Sequence, residues 1–169
     1  MLLSWLGATA SLGGASLAFL WPKLRGGFGA TFDVGSEAEV LANIKATANR
    51  WEFPSGRTLF VRYDPSLDPD GQYMEVTGGT QVMALYWKCV HLGCKVPWCA
   101  SSQWWECPCH GSRYNRWGEY QAGPAPRGLD RFRIRTEQGR LVLDTSAVVT
   151  GPPRGGGVVD QPPAGPFCV

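Results

Sequence analysis

Both histidines of this 169-residue chain, and five of its six cysteines, lie between residues 89 and 110. No other feature constrains the fold as tightly, because ligand-type side chains clustered this way have to converge on one place. They fall in two segments, Cys89-Val90-His91-Leu92-Gly93-Cys94 and Cys107-Pro108-Cys109-His110-Gly111-Ser112. As a pattern these read C-x-H, fifteen intervening residues, then C-x-x-H. Thiolate and imidazole donors together suit zinc, iron–sulfur or copper. Two Cys and two His also make a tetrahedral zinc set, the simplest structural alternative. The order argues against it. Zinc fingers pair cysteines with cysteines and histidines with histidines at short spacings, whereas here each segment supplies one of each. Two such loops facing each other can grip two irons, one by thiolates and one by imidazoles.

Composition narrows the class further. Sixteen basic residues against fourteen acidic leave a net charge of +2, without the basic excess of a nucleic-acid binder. At 44% hydrophobic and 12% aromatic the chain is too apolar to be disordered. Its 22 glycines and 13 prolines exclude a helical bundle and predict a turn-rich, all-β fold.

Residues 1–22 carry no charged side chain. Leu2 to Trp21 as a helix would be roughly 30 Å long, one hydrocarbon core, with Trp5 and Trp21 near the interfaces. The stretch reads as one N-terminal transmembrane anchor. The competing reading is a signal peptide with a small-residue cleavage site at Ala8-Thr9-Ala10. The first cations, Lys23 and Arg25, follow the span, which by the positive-inside rule would leave the next domain in the cytoplasm. Residues 23–34 then read as a hinge or linker, with Pro22 ending the helix and Gly26, Gly27 and Gly29 loosening the chain. Residues 35–150 are enough for one domain with its own core. Residues 151–169, with five Gly and five Pro, form an extended tail laid on the surface or partly disordered.

Inside the domain, Ser36-Glu37-Ala38-Glu39 is a capping box. It opens a helix over Glu37 to Ala48 whose apolar face is Val40, Leu41 and Ile44. Period-two patterning predicts strands at Thr58 to Tyr63, Gln81 to Lys88, Gln103 to Glu106, Phe132 to Thr136 and Arg140 to Asp144. In Arg131-Phe132-Arg133-Ile134-Arg135 the cations should line one wet face. Asp64 to Gly71 and Glu137-Gln138-Gly139 read as turns. Trp98, Trp104 and Trp105 read as core.

The two Cys/His segments, with their order and neighbouring glycines, resemble the Rieske iron–sulfur proteins, in which two histidines replace two cysteines on one iron of a [2Fe–2S] cluster. The resemblance is specific from Tyr86 to Leu129 and looser over the rest. It implies an antiparallel β sandwich with a cluster-binding subdomain. It implies Cys89 and Cys107 as ligands of one iron, and His91 and His110 of the other. It implies a disulfide between Cys94 and Cys109 that ties the two loops together. It also implies that Ser112 bonds a bridging sulfide and Tyr114 a cysteine sulfur, both raising the potential. Gly123-Pro124-Ala125-Pro126 would be the loop that covers the cluster, and Leu92 an exposed apolar contact beside the histidines. Cys99 and Cys168 are then left over, and we expect them to pair and pin the tail.

The functional expectation follows from the ligands. Four thiolates on an oxidised core give a dianion, whereas two thiolates and two neutral imidazoles give a neutral centre that accepts an electron more readily. Rieske potentials run from about −150 to +300 mV against about −400 mV for plant-type ferredoxins. The resemblance implies a subunit of a cytochrome bc or b6f complex. It would take one electron from quinol at a cytochrome b-type subunit, with His110 and His91 as the catalytic imidazoles, and swing on its linker to a c-type cytochrome. The implied setting is a dimeric multi-subunit complex in the cell membrane, with a single pass and the cluster domain on the extracytoplasmic side. A persistent disulfide requires an oxidising compartment, and this outweighs the loop-charge argument. Three alternatives remain: a soluble Rieske ferredoxin, which would lack the loop disulfide and the anchor; the Rieske subunit of a periplasmic enzyme such as arsenite oxidase; and a zinc-stabilised interaction module.

Overall fold

The computed structural model describes residues 10–16 and 29–169. Most of the expected anchor and hinge therefore lies outside the described residues. Residues 10–16 are helical and exposed, and among the described residues no helix is long and apolar enough to cross a membrane.

The fold is mostly β. A six-stranded antiparallel sheet has the order β1-β10-β9-β4-β3-β2, built from β1 (Thr31–Gly35), β2 (Arg50–Phe53), β3 (Thr58–Arg62), β4 (Val82–Tyr86), β9 (Arg131–Glu137) and β10 (Arg140–Val149). A second sheet is a meander of β5 (Trp98–Cys99), β6 (Trp104–Glu106), β7 (Arg113–Tyr114) and β8 (Tyr120–Ala122). Strands β4 and β9 pair directly, yet the whole second sheet and both Cys/His segments lie between them in sequence. The two Cys/His segments thus belong to an insertion between two neighbouring strands of a sheet that is continuous without it.

Strands β3 and β4 are buried on both faces, which explains their unbroken apolar runs. Phe60, Val82 and Ala84 face α1 (Glu37–Ala46), which lays Val40 and Ile44 onto them. Burying these two side chains contributes about 1.5–3 kcal/mol each. Leu59, Val61, Met83 and Leu85 face the other way, into the insertion, and pack with Trp105, Tyr114 and Trp117. The helix starts where its capping box places it: the Ser36 hydroxyl accepts from the Glu39 amide and the Glu39 carboxylate accepts from the Ser36 amide. It ends at Ala46, two residues earlier than expected, because Ala48 and Asn49 turn to positive φ.

Two expectations need correction. The segment expected as linker, 23–34, ends in structure: β1 pairs with β10 at the edge of the large sheet. Phe32 stacks edge-on against Phe53 at 5.4 Å, and Val34 is buried. Phe32 and Val34 alternate around Asp33, a period-two signal hidden behind the adjacent glycine run. The wet face expected for β9 fails at its first cation. Arg131 is fully buried; its guanidinium donates to the carbonyls of Leu129 (2.9 Å) and Trp117 (2.8 Å) and lies over the Tyr73 ring at 4.4 Å. It sits where the large sheet meets the insertion, so the face that is wet at Arg133 and Arg135 is covered at Arg131.

The β9–β10 hairpin turns on Gln138 and Gly139, both at positive φ, the two-residue geometry that matches strand twist. Beyond β10 the tail runs extended, back over the insertion. Two buried carboxylates hold it. Glu119 accepts from the amides of Val158 (2.8 Å) and Val159 (3.2 Å) while also accepting from Tyr73 Oη and Asn115 Nδ2. Glu106 accepts from the amides of Cys168 (2.7 Å) and Val169 (3.0 Å).

Candidate metal centre

The two Cys/His segments fold into the same six-residue turn. In the first, the Cys89 amide donates to the Cys94 carbonyl (2.7 Å) and the Gly93 amide to the Cys89 carbonyl (2.9 Å). In the second, the Cys107 amide donates to the Ser112 carbonyl (2.8 Å) and the Gly111 amide to the Cys107 carbonyl (3.0 Å). The fifth position of each is a glycine at positive φ, +89° for Gly93 and +73° for Gly111. An L-residue is strained there, which is why both segments carry glycine at that offset. The first position of each turn is a buried cysteine, Cys89 or Cys107. The imidazoles come from different positions, the third (His91) and the fourth (His110), and their rings meet edge to face at 4.8 Å.

Among the cysteines, Cys94 is joined to Cys109 and Cys99 to Cys168. The first bridge locks the two turns together. The second ties the C-terminus to β5. Cys89 and Cys107 remain as free thiols. Burial pushes the Cys107 thiol up, and the neighbouring Cys89 sulfur adds to this. A buried thiol so placed gives up its proton more readily in exchange for a bound cation than to water. His91 Nδ1 is buried and, among the described residues, has no hydrogen-bond partner. A buried ring nitrogen left unpaired is costly unless it serves as a ligand. Paired buried thiols, an orphaned imidazole nitrogen and a second imidazole against it fit a centre with mixed sulfur and nitrogen donors. Burial is graded: the thiols lie inside, His91 is half-buried and His110 is exposed, as is Leu92, which follows His91 in the first turn and is 70% exposed.

The residues around this set are placed by the second sheet. Tyr114, on β7, brings its hydroxyl to 3.2 Å from Cys89 Sγ. Burial, and then the cysteine beside it, push its phenol well above the ordinary tyrosine range, so it stays a donor. The buried Ser112 Oγ accepts from the Ala125 amide at 3.1 Å, which leaves the hydroxyl proton free to point elsewhere. Ala125 lies in the Gly123–Pro126 loop. That loop packs on the second turn so closely that a Cβ on Gly123 would stand 2.5 Å from the Gly111 carbonyl oxygen. Trp104 and Trp105 are buried and Trp98 partly so.

Several residues that organise the site escaped the sequence. Glu119 and Arg154 have no periodic or motif context, and Glu106, though it ends a predicted strand, carries no sign of its carboxylate's role. Arg154 donates to the carbonyls of Gly123 and Ala125, and its guanidinium lies over the Tyr120 ring at 4.5 Å. Only the three-dimensional return of the tail brings it there.

The sequence matches the family described as the Rieske [2Fe-2S] domain over residues 58–133, which includes both turns and the Pro-rich loop. A cytochrome b6-f complex iron-sulfur subunit of Volvox carteri is 36% identical over 147 residues, covering 78% of this chain and 67% of that protein. The chain belongs to the Rieske [2Fe-2S] family. A Rieske protein of the same description from Cyanophora paradoxa is 37% identical over 129 residues, 73% of this chain and 51% of its own length. One from Nostoc sp. is 47% identical over 55 residues, 32% of this chain and 31% of its own length. The chain thus spans about a third to a half of these two relatives. The soluble domain of Rieske protein II from Sulfolobus acidocaldarius superposes with a TM-score of 0.47 at 23% identity, over 83% of this chain and 87% of that one. The cofactor of this Rieske chain is a [2Fe–2S] cluster, and the donor chemistry above fits it.

Proposed function

We propose that this chain is the Rieske electron-transfer subunit of a cytochrome bc or b6f-type complex, oxidising quinol and passing one electron to a c-type cytochrome. Cys89 and Cys107 hold one iron, and His91 and His110 hold the other. The cluster, when bound, accepts and returns one electron at high potential. The observation that carries the reading is the graded burial of the donor set, thiols inside and His110 exposed, with Leu92 exposed in the turn that carries His91. An imidazole at an exposed apolar tip can accept the hydroxyl proton of a quinol seated in a partner's pocket, and Leu92 adds apolar contact at that rim. Tyr114 and Ser112 supply hydrogen bonds that favour the electron-rich state.

The setting follows from the same reading. Residues 1–22 anchor the chain in the membrane with a single pass, and the segment before β1 lets the domain move between a cytochrome b-type partner and the cytochrome acceptor within a dimeric complex. The two disulfides favour an extracytoplasmic location. Relatives described as cytochrome b6-f iron-sulfur subunits support the choice of complex.

A redox titration followed by EPR at several pH values tests this function. The expected result is a high midpoint potential that falls as pH rises, since reduction is coupled to protonation of an imidazole. A low potential that does not change with pH would replace quinol oxidation with a ferredoxin-like role.

A further inference from the structure

The tail is the least patterned part of the chain, yet it ends up braced against the loop that covers the candidate centre. Arg154 Nε and Nη2 both donate to the Ala125 carbonyl, at 2.8 and 2.6 Å, and Nη2 also reaches the Gly123 carbonyl at 3.1 Å. Tyr120 donates its hydroxyl to the same Gly123 carbonyl at 2.7 Å and lies under the guanidinium. The planar fork of an arginine suits two carbonyls of one tight loop, and a stacked ring fixes its plane. On the far side of the loop the Ala125 amide donates to Ser112 Oγ. A continuous path therefore runs from the Arg154 guanidinium, through the Ala125 peptide segment, to the Ser112 hydroxyl.

We propose that Arg154 is a positioning residue for the cluster: by fixing the Gly123–Ala125 segment it keeps the Ala125 amide on Ser112 Oγ, so that the Ser112 proton is committed to the cluster and the tail helps set the cluster's potential. This rests on the ligand assignment above but not on quinol oxidation, and its readouts involve no quinol. A hydroxyl that already accepts from a fixed amide keeps its proton off the amide side, which leaves it the side of Tyr114 and the ligand cysteines. Without the brace the Ala125 carbonyl turns to water and the Gly123 carbonyl keeps only the Tyr120 hydroxyl, the loop loosens, and Ser112 samples orientations in which it donates elsewhere. Arg154 is exposed and touches neither turn in its hydrogen bonds, so its removal need not disturb the ligands themselves.

The experiment is a double-mutant cycle on holoprotein with matched iron content, comparing Arg154→Ala, Ser112→Ala and the pair. Midpoint potential and amide exchange at Ala125 are read together. Arg154→Ala should lower the potential, and Ala125 exchange should quicken by about tenfold. In the Ser112→Ala background the same substitution should leave the potential where Ser112→Ala alone puts it. Arg154→Lys, which keeps the charge but not the fork, should shift the potential in the same direction as Arg154→Ala. An equal drop in both backgrounds would mean that the arginine acts by charge alone, and would overturn the proposal. So would an unchanged potential in Arg154→Ala, or a wild-type potential in Arg154→Lys. Loss of the quinol reading, with these potential shifts intact, would leave the proposal standing.

Discussion

The Tyr114 hydroxyl lies 3.2 Å from the Cys89 sulfur, inside the core and on the strand that leaves the second ligand turn. A donor aimed at a ligand sulfur stabilises the state with more electron density on that sulfur. Tyr114→Phe removes only this bond and keeps the packing. A hydrogen bond worth about 1 kcal/mol corresponds to a fall in midpoint potential on the order of 50 mV for a one-electron couple. Voltammetry of the Tyr114→Phe protein, with iron content unchanged, checks this, and an unshifted potential would remove Tyr114 from the account.

The bridge between Cys94 and Cys109 closes a separation of 15 residues. A loop of that length carries about 3 kcal/mol of unfolded-state restriction. Replacing both cysteines by alanine should lower the unfolding free energy by about that amount. It should also speed cluster loss, because the two turns share no other covalent tie. Denaturant titration and the decay of cluster absorbance report the two effects separately.

The bridge between Cys99 and Cys168 spans 69 residues, for which the same reasoning gives about 4 kcal/mol. The double serine variant should lose stability by up to that amount and become open to proteolysis near the C-terminus. Arg154 and Glu119 hold the tail upstream of the break, so the EPR spectrum should stay unchanged. An altered spectrum would mean that the bridge shapes the centre directly.

Alkaline pH should destabilise the fold through Tyr63 and Tyr73. Burial first, and then the carboxylate of Asp68, push the Tyr63 phenol up. Burial likewise raises Tyr73, with Glu119 adding to it against an opposing pull from Arg131. A phenol whose folded value is raised contributes stability that is intact below its ordinary value of about 10, and this is lost as pH rises through the folded value. Phenolate absorbance should therefore show these two tyrosines ionising only together with unfolding, above about pH 10. Early ionisation of both in the folded protein would contradict their burial.

The sequence made the two Cys/His turns legible because spacing and backbone coincide there: C-x-H and C-x-x-H each need a glycine to close the turn, and both have one. The capping box of α1 and the doubly apolar runs of β3 and β4 were readable for equally local reasons. What stayed hidden depends on long-range return of the chain. β1 was masked by the neighbouring glycines and exists through its pairing with β10, more than a hundred residues later. Arg131 looks like a surface cation until the insertion covers it. The short strands β5, β7 and β8 are two or three residues long, too brief for any periodic signal. The tail, which sequence leaves as an extended strap, has its path set by two buried carboxylates whose partners within the tail are backbone amides and so carry no side-chain pattern.

The central claim is that two irons share unequal ligands, thiolates on one and imidazoles on the other. Pulsed EPR of the reduced protein with ¹⁵N confined to histidine tests it most directly. The account predicts two strongly coupled histidine nitrogens, with one lost in His110→Ser if any cluster survives there. A reduced cluster whose spectrum shows no coupling to labelled histidine would contradict it.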